Sequence, residues 1–149
     1  MVSAHDVAAY IVGRHGPLSA MKLQKLVYYA QAWSLVWDDR PLFPEHIEAW
    51  ANGPVVRELY DRHRGQFEVR DWPHGDARRL DGDGRATVDA VLDFYGDRSA
   101  QWLSDLTHSE RPWREARQGL PDGERGAQPI SLEVMMEYYS TLPPDHGEG

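Results

Sequence analysis

The stretch SAMKLQKLVYYAQAWSLVWDD, residues 19–39, decides how this chain folds. It contains neither proline nor glycine, and a helical period separates its side chains into an apolar arc and a polar arc. The apolar arc holds Leu23, Leu26, Ala30, Trp33 and Trp37. The polar arc holds Gln24, Gln31, Ser34 and Asp38. Because a helix that is apolar over most of its circumference is normally surrounded by other elements, the stretch predicts a central core helix over about 20–38.

Two lysines interrupt the first turns of this helix. Lys22 and Lys25 lie where the positive end of the helix dipole disfavours cations. They therefore pair with carboxylates elsewhere, face a partner, or extend their ammonium groups from the edge of the core into solvent. The sequence leaves these three alternatives open.

Capping residues predict where the other helices begin. Four serines each precede a periodic apolar stretch, as N-cap residues do. They are Ser3, Ser19, Ser99 and Ser131. Asp83 is predicted to cap a helix that ends at Gly96, while Pro54 and Pro112 are predicted to stand in the first turns of two further helices.

These elements predict a mainly α fold, a single compact bundle of six or seven helices around the central helix. Three prolines and a glycine between residues 38 and 55 break the helical pattern, and HIEAWA (46–51) alternates as a short strand does. We expect at most a small two-stranded β feature near 42–70. The domain is predicted to span residues 1–142, followed by a disordered tail at 143–149.

Composition limits the classes of protein to which the chain can belong. Its 149 residues are the length of one domain, and it has no cysteine, which excludes disulfides and fits a reducing cytoplasm. No apolar window is long enough to cross a membrane. The formal net charge of −8, with basic residues scattered among acidic ones, disfavours nucleic acid as a partner and favours a cationic protein surface.

Catalytic motifs are missing from the sequence. None of the seven histidines stands in an HExxH pattern, and there is no glycine-rich phosphate loop or GxSxG elbow. We therefore predict no catalytic residue, no metal site and no cofactor. His108 is the position for which an alternative remains, because it lies between an amphipathic helix and a Pro-Trp corner. It acts either as a general base or metal ligand, or as a group that satisfies backbone atoms at a helix end.

Three stretches, in this order, resemble the Panacea domain, the SocA-like antitoxin family that is also described as phage-associated proteins. They are MKLQKLVYYAQAWSLVWDDRPLF (21–43), IEAWANGPVVRELY (47–60) and LSDLTHSERPWREAR (103–117). The matching positions are Lys22, Leu23, Gln24, Lys25, Tyr29, Ala49, Trp50, Gly53, Pro54, Val55, Leu106, Thr107, His108, Pro112 and Trp113. Most of these positions are expected to be structural.

The resemblance implies a cytoplasmic antitoxin of a two-gene toxin–antitoxin system, with the toxin encoded by the adjacent gene. Such antitoxins neutralise by direct protein binding, and at least one relative instead delivers its toxin to a ClpXP-type protease. A metal- or acid-dependent enzyme that uses His108 is the third alternative. The candidate anchors for a protein partner are aromatic and arginine residues, the types that dominate interface energetics. They are Tyr28, Trp37, Arg40, Arg57 and Tyr60.

Overall fold

The computed structural model describes residues 2–142. Its seven α-helices within that range are α1 (Ala4–His15), α2 (Ala20–Trp37), α3 (Arg57–His63), α4 (Gly82–Tyr95), α5 (Ala100–Ser109), α6 (Arg111–Ala116) and α7 (Leu132–Ser140). Its four short strands are β1 (Leu18–Ser19), β2 (Ile47–Trp50), β3 (Gly53–Val56) and β4 (Glu68–Val69). The predicted mainly α fold with six or seven helices is confirmed.

Helix α2 is the centre of the molecule. Helices α1, α4, α5 and α7 all pack against it, and Trp33 is only 3% exposed. The Trp33 indole stacks on Trp37 with 5.0 Å between ring centroids, and Tyr29 stacks on Tyr95 at 4.1 Å. The prediction of a central helix whose aromatic side chains fill the core is therefore confirmed.

The polar arc of α2 binds the backbone of the segments that cross it. The Gln24 amide donates to the Val56 carbonyl and accepts from the Val56 N–H at 2.9 Å. Gln31 accepts from the N–H groups of Leu42 and Phe43 and donates to the Phe43 carbonyl. Buried backbone groups outside regular structure need such partners, so these two glutamines attach the non-helical segments to the core.

Strands β2 and β3 form an antiparallel hairpin in which Trp50 lies opposite Gly53. The predicted helix start at Pro54 is therefore wrong, because this segment is extended and α3 begins only at Arg57. Tertiary pairing overrides the local preference of proline for a first helical turn. Gly53 has a φ of 121°, in the region that favours glycine, and it sits directly after the turn.

A second two-stranded sheet pairs β1 with β4, with Leu18 opposite Val69. The pattern of the sequence did not predict this pairing, since each strand has only two residues and alternation cannot be recognised over so short a run. Both sheets are small. The β2–β3 hairpin is the two-stranded feature expected near 42–70, whereas the second sheet was not expected and includes β1, which lies outside that region.

The predicted helix caps are confirmed at four positions and wrong at one. Ser3, Ser19, Ser99 and Ser131 each accept a hydrogen bond from a backbone N–H in the first turn of their helices. For α4 the cap is Asp81, which accepts from the Gly84 N–H at 2.8 Å, and Asp83 lies inside the first turn. The repeated Asp-Gly pairs of this region offered two cap positions, and the geometry selects the first.

Within residues 2–142, no helix combines the length and the apolar character that crossing a bilayer requires. The tail predicted to be disordered, 143–149, lies outside the described residues.

Candidate functional site

The matching motif residues meet beneath the β2–β3 hairpin. Lys25 of α2 and Thr107 of α5 approach the backbone of Gly53 so closely that a Cβ there would lie 2.7 Å from Lys25 Cε and 3.2 Å from Thr107 Oγ1. Lys25 is 1% exposed, and burial lowers its pKa to about 8. None of the three alternatives for Lys25 describes this position well, because its ammonium group is buried and has no carboxylate partner among residues 2–142.

The His108 imidazole lies beside Lys25 and bonds to the backbone of Ala51 in the hairpin turn. Its other nitrogen, Nε2, is buried and has no hydrogen-bond partner within the described chain. Burial lowers the pKa of His108, and the nearby Lys25 charge lowers it further, so the neutral form is favoured at neutral pH. The ring packs on Trp113, with 4.3 Å between centroids.

Trp113 and Arg117 hold the hairpin from below. The Trp113 indole donates to the Trp50 carbonyl at 2.8 Å, and the Arg117 guanidinium donates to the Ala49 carbonyl at 3.1 Å. Arg117 is 2% exposed and also donates to the Pro121 and Glu124 carbonyls. Trp113, which is one of the motif positions, and Arg117, which is not, therefore both position the hairpin.

A groove of about 630 Å³ opens beside the hairpin turn. Its lining residues are Trp50, Ala51, Asn52, Arg57, Tyr60, Arg64, Arg125, Gly126 and Ala127. The Trp50 and Tyr60 rings meet edge to face at 4.8 Å, and the Arg57 guanidinium lies 5.4 Å from the Trp50 ring centroid. We name this feature the arginine groove.

The arginine groove is positively charged in a chain of net charge −8. Of its three arginines, Arg57 bonds to Glu48 at 3.0 and 3.3 Å. Arg64 and Arg125 form no ion pair within 4 Å with any residue between 2 and 142. The groove therefore combines two aromatic rings with two guanidinium groups whose charges are uncompensated within the described chain.

The connector after α6 brings Arg125 to the groove. Its last residues run along the outer edge of β2, where the Gln128 carbonyl accepts from the Ala49 N–H at 2.8 Å and the Ile130 N–H donates to the Ile47 carbonyl at 2.7 Å. These bonds fix the connector against the hairpin, and Arg125 of the same connector lines the groove together with Arg57 and Tyr60 of α3.

The five predicted partner anchors separate into three groups. Arg57 and Tyr60 both line the arginine groove. Tyr28 is 1% exposed, so it is not available as a surface anchor in this fold; its hydroxyl bonds that of Tyr139 in the core. Trp37 is half-buried against Trp33, and Arg40 lies elsewhere on the surface.

Arg40 lies at the rim of a second groove of about 470 Å³, which is mostly apolar. Its lining residues are Val2, Arg40, Pro41, Leu42, Phe43, Pro44, Leu80 and Asp81. Arg40 pairs there with Asp81 at 3.0 Å.

Sequence reasoning missed Arg64, Arg125 and Arg117. A signal for Arg64 was present, since Arg57, Tyr60 and Arg64 stand at i, i+3 and i+7, the spacing of one helix face, although α3 ends one residue before Arg64. Arg125 stands in a polar connector with no local pattern, and the burial of Arg117 depends on carbonyls that only the folded chain brings together.

No three acidic or histidine side chains among residues 2–142 come close enough to hold a metal ion. The described site is a fixed hairpin beside a groove that is lined by aromatic and arginine side chains. The family model for the SocA-like antitoxin, Panacea domain, matches residues 23–114, and the chain belongs to this family. Searches of the curated proteins and of the solved structures each found no match.

Proposed function

We propose that this chain is the antitoxin of a toxin–antitoxin pair and that it neutralises its toxin by direct binding at the arginine groove. Membership of the SocA-like antitoxin family is the observation that carries the proposal. The groove supports it, because tyrosine, tryptophan and arginine are the residue types that contribute most of the energy of protein interfaces. In this proposal the partner is the product of the adjacent gene, both proteins act in the cytoplasm, and neither catalysis nor a cofactor is needed.

Tyr60 provides the direct test of where the toxin binds. The Tyr60→Ala variant should weaken the complex by about 10-fold or more, the effect of truncating an interface hot spot. Trp102→Ala is the matched control, since Trp102 is an exposed aromatic residue of α5 (38% exposed) that does not line the groove. Affinity is measured by isothermal titration with the purified toxin, and neutralisation by growth on co-expression. If both variants bind the toxin with equal affinity, the interface lies outside this groove.

The domain that performs this function is proposed to extend over 1–142, beyond the matched family region. Helix α1 precedes that region and α7 follows it, and both pack against α2. They therefore cover part of the central helix and belong to the same core.

A protease adaptor is the second candidate, because the chain has a second groove. An adaptor for a ClpXP-type protease needs one surface for the toxin and another for the protease, and the apolar groove next to Arg40 offers the second surface. The two functions differ in the fate of the toxin. If the chain is an adaptor, the toxin half-life in cells shortens when chain and protease are both present, whereas a simple inhibitor leaves it unchanged or longer.

A further inference from the structure

We propose that the arginine groove recognises an acidic segment of the toxin, in which carboxylate side chains flank an apolar or aromatic residue. This inference rests on the proposed function and specifies the chemistry of the partner. It differs from the expectation drawn from net charge, which favours a cationic partner surface.

Arg64 and Arg125 have no ion-pair partner in the described chain, and their charges are the first reason to expect an acidic partner. Both guanidinium groups line the groove, and neither has a carboxylate partner in the described chain. A guanidinium group presents a planar set of donors that matches the two oxygens of a carboxylate. Two such groups in one groove, one directly after α3 and one in the connector, fit a segment that carries more than one carboxylate.

The aromatic wall is fixed before any partner arrives. Glu48 accepts from the Trp50 indole at 2.7 Å and from the Arg57 guanidinium, so a single carboxylate holds both side chains in place. Tyr60 packs against the same indole. Side chains that are already ordered lose less conformational entropy on binding, so the space between these rings is suited to an apolar side chain of the partner.

Protein carboxylates fit this groove better than a nucleic acid does. A polyphosphate backbone extends beyond the groove and meets a chain whose net charge is −8. Inside the groove, one of the three arginines is already neutralised by Glu48. A short acidic segment needs only the two remaining guanidinium groups.

The contrast in charge between the groove and the rest of the chain also favours binding at the groove. The net negative charge of the chain disfavours an acidic segment over the surface as a whole, and like-charge repulsion disfavours wrong docking positions. The overall charge of the chain thus contributes to specificity for this location.

The deciding experiment reverses the charge of the two uncompensated arginines. Arg64→Glu with Arg125→Glu should reduce affinity for the purified toxin by about 100-fold and abolish growth rescue. Arg62→Glu with Arg114→Glu is the matched control, because it changes the net charge equally at exposed positions that do not line the groove. The control pair should stay within about threefold of the unmodified chain.

Two further measurements make the result specific. Replacing acidic residues of the bound toxin segment by lysine should restore binding to the Arg64→Glu, Arg125→Glu variant. Poly-glutamate should displace the toxin from the unmodified chain, whereas poly-lysine and a single-stranded oligonucleotide should not. Circular dichroism checks the fold, and the milder Arg64→Gln, Arg125→Gln variant replaces the reversal if the latter does not fold.

The outcomes separate the two proposals. If the unmodified chain neither binds nor neutralises the toxin, the proposed function is wrong. If it does both and the groove and control pairs bind equally well, neutralisation by direct binding stands and the acidic-segment inference is overturned, while Tyr60→Ala decides separately whether the toxin binds at the groove. Displacement of the toxin by the oligonucleotide, with the same dependence on Arg64 and Arg125, would also overturn it in favour of nucleic acid.

Discussion

Lys25 places an ammonium group in the interior beneath the hairpin, where burial lowers its pKa from 10.5 to about 8. Because the group binds its proton more weakly in the folded state, protonation favours the unfolded chain. This difference determines whether stability rises or falls with pH. Between pH 8 and 10.5 the unfolded chain holds more protons at this site, so the contribution of Lys25 to stability rises with pH in that window.

Lys25→Met should therefore stabilise the fold. Methionine keeps an unbranched stem of similar length and removes the buried charge, and the expected gain at pH 7 is on the order of 2 to 3 kcal/mol in the free energy of unfolding. Lys22→Met, at a half-buried position, should change stability much less. Urea denaturation of the three proteins at pH 7 and pH 10 measures the effect, and a destabilised Lys25→Met would show that the ammonium group has a stabilising contact.

Glu110 is a second buried ionisable group, 2% exposed. The hydroxyls of Tyr29 and Tyr139 donate to its Oε1 at 2.8 and 2.7 Å. Burial nevertheless dominates and raises its pKa to about 7. Since the folded chain holds the proton more tightly here, this carboxyl makes the fold more stable at low pH and less stable as the pH rises from 4.5 to 7.

Glu110→Gln should remove that pH dependence. The amide oxygen can still accept from both tyrosines, but the side chain no longer titrates. The difference in unfolding free energy between variant and unmodified chain should change by on the order of 3 kcal/mol between pH 4.5 and 7.5, in favour of the variant at the higher pH. Using the difference cancels the histidines, which titrate in both proteins. A difference that does not vary with pH would mean that Glu110 is already ionised at pH 5.

At the scale of the elements, the hairpin depends on a glycine. Gly53→Ala places a Cβ at a φ of 121° and directs it into the Lys25 side chain. We expect a loss of about 2 kcal/mol or more, since strain of this kind costs on the order of 1–3 kcal/mol before any clash is counted. Thermal denaturation followed by circular dichroism measures it.

Gly13→Ala is the matched control for this substitution. Gly13 lies in α1 with nothing within 4 Å of an added Cβ. Alanine should stabilise that helix by about 0.5–1 kcal/mol, the difference in helix propensity. The two glycine substitutions should therefore have opposite signs, and equal effects would contradict the role assigned to Gly53.

The elements that the sequence predicted well are those set by local chemistry. Ser3 and Ser19 cap helices because a hydroxyl needs only the N–H groups three residues ahead. The segment after Gly53 was predicted as helix for the same local reason, and it is a strand because Gln24 and β2 take up its backbone groups. These partners lie elsewhere in the sequence, so no local pattern reveals them.

The candidate site also contains residues that a local pattern predicts and residues that only the folded chain brings together. Arg57 and Tyr60 lie on α3 and were predicted from residue type alone, whereas Arg64 follows directly after the last residue of that helix. Arg125 reaches the groove only because the connector lies along β2, so its contribution became visible only in the folded chain. Net charge, which averages over the whole surface, pointed away from a basic groove.

For the whole molecule, the packing predicts that the family-matched region is not an independent folding unit. A fragment of residues 23–114 lacks α1 and α7, and it exposes the side of α2 that they cover. We expect this fragment to unfold without a cooperative transition, whereas the full chain melts cooperatively. Differential scanning calorimetry distinguishes the two. A sharp transition for the fragment would show that α1 and α7 are accessory.

The attachment of the hairpin from beneath has a consequence for how this surface can evolve. Gln24, Gly53 and Trp113 hold its backbone, and none of them lines the arginine groove. Positions such as Tyr60 and Arg64 can therefore change without altering the frame that presents them. A lineage could exchange one toxin for another by substituting a few outward-facing residues, while selection for folding acts on a separate set of positions.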